Sequence, residues 1–80
     1  MIINIDMPLL QDKVMEVLEN DEMEYKYLGK RKGSNLCLQY EVDEAKFPMD
    51  PVLYTRKLVR KVPLIKSVFY RILEDGKQFD

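Results

Sequence analysis

The chain has 80 residues, a length that allows one small domain with a limited core. Hydrophobic residues make up 46% of it and charged residues 34%, which is typical of a folded domain with a charged surface and excludes a disordered segment. The net charge of −1 and the pI of about 5.4 do not favour a nucleic-acid-binding domain, because such domains are usually basic. We therefore expect a single domain over residues 1–80.

The charges are distributed unevenly along the sequence. Residues 1–23 contain six acidic side chains and one basic side chain, whereas residues 24–80 contain twelve basic and eight acidic ones. This asymmetry predicts a dipolar molecule, in which an acidic face can pair with a basic face.

The expected compartment is the cytoplasm. Cys37 is the only cysteine, so the chain cannot form an internal disulfide, as is usual in a reducing compartment. No stretch approaches the roughly 20 apolar residues of a membrane span. The first residues, 1–6, have neither the basic start nor the apolar core of a signal peptide. We expect no membrane association.

The first part of the sequence predicts a strand followed by a helix. Ile2 to Ile5 is a short run rich in β-branched residues and indicates a buried strand. Asp6-Met7-Pro8 is predicted to open a helix, because proline is tolerated in the first turn. Apolar residues then recur at the spacing of one helix face, and the helix is predicted to end near Asn20. This face consists of Leu10, Val14, Val17 and Leu18.

Two strands and a hairpin turn are predicted next. Residues 25–28 and 36–42 alternate with a period of two, which is typical of strands. Gly29 and the run Lys30-Arg31-Lys32-Gly33-Ser34 lie between them and predict a turn, with a bulge at Gly29. After a loop at 43–49, Asp50-Pro51 combines a capping acid with a proline and predicts the start of a second helix, which ends at Pro63.

The segment Leu64 to Phe79 fits two predictions. Its β-branched and aromatic residues favour a strand, whereas its apolar spacing and Gly76 also fit a third helix. We favour the strand. The run Val62-Pro63-Leu64-Ile65-Lys66-Ser67-Val68 resembles the element that joins the second helix to the last strand in ferredoxin-like domains. The predicted fold class is therefore α+β, a ferredoxin-like βαββαβ sandwich with one antiparallel sheet and two helices on one face.

Residues for catalysis or metal binding are sparse, so we expect no enzyme, no metal and no cofactor. The sequence contains no histidine, which is the commonest general base and a common metal ligand. Cys37 lies in an apolar strand, where a thiol is usually buried and inert. The layout resembles that of ferredoxin-like metallochaperones, but their Cys-x-x-Cys loop corresponds to Asp6-Met7-Pro8-Leu9 here. The acids near residue 43 are explained by loop solvation and a helix cap.

Two basic clusters, at 26–32 and 56–66, predict contacts with an anion or a nucleic acid. The candidate residues are Lys30, Arg31, Lys32, Arg56, Lys57, Arg60 and Lys61. The strand from Leu36 lacks the aromatic, glycine-rich motif of RNA-recognition domains, so a solvated charged surface is the simpler interpretation. RNA binding is the second function hypothesis.

The sheet face opposite the helices predicts a contact surface. If it carries apolar and aromatic side chains, it is suited to a partner or a second copy. The candidate interface residues are Tyr25, Tyr27, Cys37, Gln39 and Phe69. The leading hypothesis is a non-catalytic interaction or regulatory module that self-associates through its sheet as a homodimer. A different protein is the other possible partner. A small-ligand-sensing regulatory domain is the third, because the layout resembles that of amino-acid-regulatory domains.

Overall fold

A computed structural model describes residues 1–76. This part of the chain forms four strands, two α-helices and two short 3-10 helices. The strands are β1 (Ile2–Asp6), β2 (Lys26–Lys30), β3 (Cys37–Glu41) and β4 (Arg71–Glu74), the α-helices are α1 (Gln11–Glu19) and α2 (Pro51–Val59), and the 3-10 helices are Glu44–Lys46 and Ile65–Ser67. The predicted α+β fold with a βαββαβ order is confirmed, and the arrangement is consistent with a ferredoxin-like sandwich.

One sheet holds the four strands in the order β2-β3-β1-β4, and every neighbouring pair is antiparallel. The central strand β1 places Ile3 opposite Tyr40 of β3 and Ile5 opposite Ile72 of β4. The register of β2 against β3 shifts at Gly29, which has a φ of 98°. The predicted bulge is confirmed, and glycine suits it because residues with a Cβ disfavour positive φ.

The helix starts show one correct and one incorrect prediction. Asp50 caps α2 as predicted, and its carboxylate accepts a hydrogen bond of 2.9 Å from the Val52 N–H. The predicted opening of α1 at Asp6-Met7-Pro8 is wrong, because Asp6 still belongs to β1 and the helix begins only at Gln11. Leu10 precedes it with a φ of 64°, and the Gln11 side chain donates hydrogen bonds to the carbonyls of Met7 and Asn35.

Both helices pack on the same face of the sheet. Alternation along β1 and β3 directs Ile3 and Ile5, and Leu38 and Tyr40, to this face. The helices contribute residues at helical spacing, so that the two layers share one hydrophobic core. The other buried residues of this core lie in the helices, the loops and β4, and they are Met7, Val14, Leu18, Val42, Leu58, Val59, Val62, Ile65 and Ile72.

The C-terminal segment forms the predicted last strand, and no third α-helix replaces it among the described residues. Ile65–Ser67 forms a single 3-10 turn, and Arg71–Glu74 forms a strand against β1. The strand pairs with β1 so that Ile72 lies opposite Ile5, and this pairing buries Ile72 in the core. The strand prediction is confirmed for these four residues, while residues 77–79 of the predicted segment lie outside the described part of the chain.

Two tyrosines under the helices differ in how their hydroxyls are satisfied. The Thr55 hydroxyl donates to the Pro51 carbonyl at 2.7 Å, so the Tyr25 hydroxyl, 2.8 Å away, must donate to Thr55 Oγ1. Tyr40 is fully buried, and its hydroxyl has no hydrogen-bond partner among the described residues. An unsatisfied buried hydroxyl costs about 1–3 kcal/mol, whereas a satisfied one stabilises the fold by about 1 kcal/mol.

These two environments predict opposite effects for the same substitution. Tyr40→Phe is expected to raise the free energy of unfolding by about 1 kcal/mol, because it removes a desolvated hydroxyl that has no hydrogen-bond partner among the described residues. Tyr25→Phe is expected to lower it by about 1 kcal/mol, because it removes the bond to Thr55. Urea unfolding of both variants measures the difference. A larger loss for Tyr40→Phe than for Tyr25→Phe would contradict this account of the core.

Candidate functional site

The sheet face opposite the helices carries neither of the two tyrosines predicted for it, and it mixes polar Asn4 and Gln39 with apolar Ile2 and Leu73. Tyr27 is paired with Tyr40 in the register of β2 and β3, so it points to the helix side. Tyr25 also lies on that side, since it contacts Thr55 and its ring packs edge-on against Tyr40. The strand periodicity was predicted correctly, but it did not reveal which of the two faces the helices cover. Neither tyrosine belongs to the bare face.

A chain of side-chain amides crosses the middle of the bare face. Gln39 Nε2 donates to Asn4 Oδ1 at 2.9 Å, and Asn4 Nδ2 donates to Asp75 Oδ1 at 2.8 Å. These bonds join β3, β1 and the residue after β4. Of the predicted interface residues, Gln39 and Cys37 lie on this face, and Phe69 precedes β4 with 80% of its surface exposed. The structure therefore does not gather the five predicted residues into one patch.

Cys37 lies opposite Asp6 in the pairing of β3 with β1 and is 2% exposed. Burial, reinforced by a hydrogen bond to the Asp6 carboxylate, raises the pKa of the thiol to about 12. The group is thus a neutral thiol at physiological pH rather than a nucleophilic thiolate. The predicted burial of Cys37 is confirmed.

The buried thiol predicts a loss of stability at alkaline pH. In the unfolded chain Cys37 ionises near pH 9, while in the folded chain it keeps its proton to about pH 12. Rising pH therefore favours the unfolded state over this window, by about 1 kcal/mol at pH 10. Urea unfolding at pH 8 and pH 10 is expected to show this loss, and the Cys37→Ala variant should lose correspondingly less. Equal losses in the two proteins would show that the thiol is not the cause.

A basic cleft lies at the end of the sheet where β1 ends and β4 begins. We call it the hairpin cleft, because the turn between β2 and β3 forms one wall. It encloses about 430 Å³ and is lined by Asp6, Arg31, Lys32, Gly33, Ser34, Leu36, Cys37 and Arg71. Arg71 lies 3.4 Å from the Asp6 carboxylate, and this is the single ion pair that the structure gives between described residues. The cleft thus holds three cationic groups and one carboxylate.

An acidic recess lies at the opposite end of the sheet. It encloses about 810 Å³ and contains seven carboxylates and two lysines. Its lining consists of Met1, Glu19, Asp21, Glu22, Met23, Glu24, Tyr25, Lys26, Glu41, Val42, Asp43, Glu44, Lys46 and Phe47. The Asp21 carboxylate accepts a hydrogen bond of 2.9 Å from the Tyr54 hydroxyl, and burial together with this bond raises the pKa of Tyr54 to about 12. The acidic excess of residues 1–23 is visible in the sequence, whereas the recess is not.

The directions of β1 and α1 explain why the acidic and basic side chains lie at opposite ends of the sheet. The strand β1 runs from the recess, at Met1, to the hairpin cleft, at Asp6. The helix α1 runs the opposite way, because Gln11 bonds to Asn35 of the hairpin and Glu19 lines the recess. The loops after α1 and β3 therefore meet at one end, and they are the acidic segments. The basic hairpin lies at the other end.

The second predicted basic cluster does not form a single surface. Arg56 is partly buried, and its guanidinium donates to the Ile72 carbonyl at 3.2 Å. Lys57, Arg60 and Lys61 are exposed around the end of α2. The first cluster divides as well, because Lys26 lines the acidic recess while Arg31 and Lys32 line the hairpin cleft. The predicted anion-contact residues therefore do not gather into one surface.

An apolar groove of about 320 Å³ lies on the helix side, between the start of α1 and the exit of α2. It is lined by Leu10, Lys13, Glu16, Val17, Val62, Pro63 and Leu64. Leu10 and Leu64 both have positive φ angles, which leucine disfavours. Nothing in the structure indicates what would cover this groove.

Metal binding, membrane crossing and similarity to known proteins give no further indication of function. Among residues 1–76, no group of three or more cysteine or acidic side chains is arranged to hold a metal ion. No helix in the same part of the chain has the length and apolar character needed to cross a membrane. A comparison of the chain with protein-family models, with curated proteins and with solved structures finds no match. Function must therefore be argued from the surfaces described above.

Proposed function

We propose that this chain is a non-catalytic interaction module that self-associates head to tail, with the basic hairpin of one copy in the acidic recess of the next. The observation that carries the proposal is the separation of charge between the two ends of the sheet. Seven carboxylates gather in the recess, and three cationic groups line the hairpin cleft. The uneven charge of the sequence pointed to a dipolar molecule. Four of the seven carboxylates, Glu24, Glu41, Asp43 and Glu44, nevertheless come from the more basic part of the chain, so this separation of charge depends on the fold.

The available charges support an intermolecular contact. Arg31 and Lys32 have neither an ion pair nor a side-chain hydrogen bond among the described residues. In the recess, Glu22 and Glu24 are exposed and equally unpaired in that part of the chain. Complementary potentials of this kind steer association and favour one orientation. Exposed charges are screened by salt, so the contact should weaken as ionic strength rises.

A head-to-tail contact would also determine the kind of assembly. The hairpin and the recess are different surfaces, so the contact between them is heterologous rather than two-fold symmetric. Each copy keeps one unused end after a single contact. Repetition therefore produces an open chain or a closed ring, instead of the symmetric homodimer through the sheet that the sequence suggested.

The bare sheet face supports association less well. Its centre holds the side chains of Gln39, Asn4 and Asp75, two amides and a carboxylate that already bond to one another. The tyrosines expected there lie on the helix side. An interface of all five residues, Tyr25, Tyr27, Cys37, Gln39 and Phe69, has no support from this facing. The expected cytoplasmic location stays a prediction.

RNA binding is the second candidate function, favoured by the unpaired cations of the hairpin. A single-stranded ligand would need several such cations along its path, and affinity would fall steeply with salt. The acidic recess and the overall charge of −1 oppose it. The small-ligand-sensing hypothesis stays a prediction without a surface of its own in the described residues.

Charge reversal tests the head-to-tail contact. The variants Arg31→Glu/Lys32→Glu and Glu22→Lys/Glu24→Lys each reverse one end, so each is expected to weaken self-association at least about tenfold in sedimentation velocity at low salt. Mixing the two variants is expected to restore a complex, because the intact hairpin of one fits the intact recess of the other. The wild-type complex should dissociate as sodium chloride is raised.

A matched control separates the contact from a general charge effect. Lys57→Glu/Lys66→Glu makes the same change in net charge at two exposed lysines outside both surfaces. It should associate far more strongly than the hairpin variant. A wild-type protein that stays monomeric at millimolar concentration in low salt would refute the proposal. Equal weakening by the control and the hairpin variant would also refute it.

A further inference from the structure

The hairpin cleft has features of a ligand site that its role in self-association does not require. Behind the hairpin, the cleft has a volume of about 430 Å³, which exceeds that of a single tetrahedral oxyanion. Arg31 and Lys32 stand on one wall, and Arg71, which bonds to Asp6, stands on another. A guanidinium and an ammonium beside one cleft are the groups that most often bind phosphate oxygens.

The turn that carries these cations adds a neutral hydrogen-bond donor. The Ser34 N–H donates to the Arg31 carbonyl at 3.0 Å, which closes a tight turn with Gly33 at a φ of 84°. The Ser34 oxygen accepts a bond of 3.2 Å from the Leu36 N–H, so its own proton is free to donate. A hydroxyl donor is thus held beside two cations by the backbone of the turn.

The remaining lining does not strongly oppose an anion. Cys37 is buried and protonated at neutral pH, so it adds no negative charge to the cleft. Asp6 is the single carboxylate of the lining, and its bond to Arg71 offsets its charge. Two cations with no partner in the described chain therefore remain to attract a ligand.

We propose that the hairpin cleft binds a phosphate group, held by the Arg31 guanidinium, the Lys32 ammonium and the Ser34 hydroxyl. Binding would require only this cleft and not the acidic recess. Because the same two cations are used, bound phosphate would compete with the hairpin–recess contact, and this second consequence rests on the proposed self-association. The phosphate can belong to the free ion or to the backbone of a single-stranded RNA.

The binding is measured by amide chemical shifts in a ¹⁵N-labelled protein titrated with sodium phosphate, with sodium chloride at matched ionic strength as the reference. Shifts at Gly33, Ser34 and Cys37 are expected to saturate with phosphate only. Arg31→Gln/Lys32→Gln is expected to weaken binding at least about tenfold, since it removes two charge-assisted contacts. The matched control Lys13→Gln/Lys46→Gln removes two exposed lysines that lie outside the cleft and outside both predicted basic clusters, and it is expected to bind as the wild type does.

Two further titrations complete the test. If a short oligouridine binds at the same amides with higher affinity than phosphate, the bound phosphate belongs to an RNA backbone. If its affinity is no higher than that of phosphate, the ligand is the free ion. The Glu22→Lys/Glu24→Lys variant should still bind phosphate, so a failure of self-association is distinguishable from a failure of this site. Shifts that do not saturate, that chloride reproduces, or that persist unchanged in Arg31→Gln/Lys32→Gln would overturn the proposal.

Discussion

The pairing of β1 with both β3 and β4 is the constraint on which the other features depend. It puts Ile3 opposite Tyr40 and Ile5 opposite Ile72, so the core can form on one face. Because all neighbouring strands are antiparallel, it also fixes the end of the sheet at which each connection lies. The acidic loops after α1 and β3 share one end, and the basic hairpin occupies the other. Charge separation is thus a consequence of topology as much as of composition.

The two faces of the sheet have different roles. The helix side is apolar and holds the molecule together through tightly packed aliphatic and aromatic side chains. The bare side is ordered by hydrogen bonds from Gln39 to Asn4 and from Asn4 to Asp75, which join three of its strands or strand ends. A face whose polar groups already pair gains little from a partner. The ends of the sheet, where charges remain unpaired, are better suited to recognition.

Local sequence signals predicted the fold well and the surfaces less well. Asp50-Pro51, the β-branched start and the glycine at the bulge each specify their structure within a few residues. The facing of Tyr25 and Tyr27 could not be read in this way, because alternation gives two faces but not which one the helices cover. The start of α1 was missed because residues 6–10 complete a strand and a turn first. The hairpin cleft and the acidic recess depend on contacts between distant segments, so composition alone indicated only the dipole.

Paramagnetic relaxation between copies tests the head-to-tail account most directly. A nitroxide attached at Ser34→Cys, in a Cys37→Ala background, marks the hairpin of one copy, and a second, ¹⁵N-labelled copy reports where that hairpin lies. The account predicts signal broadening at residues 19–24 and 41–47, which form the recess. Broadening confined to the strands of the bare sheet face, or no intermolecular broadening at low salt, would contradict it.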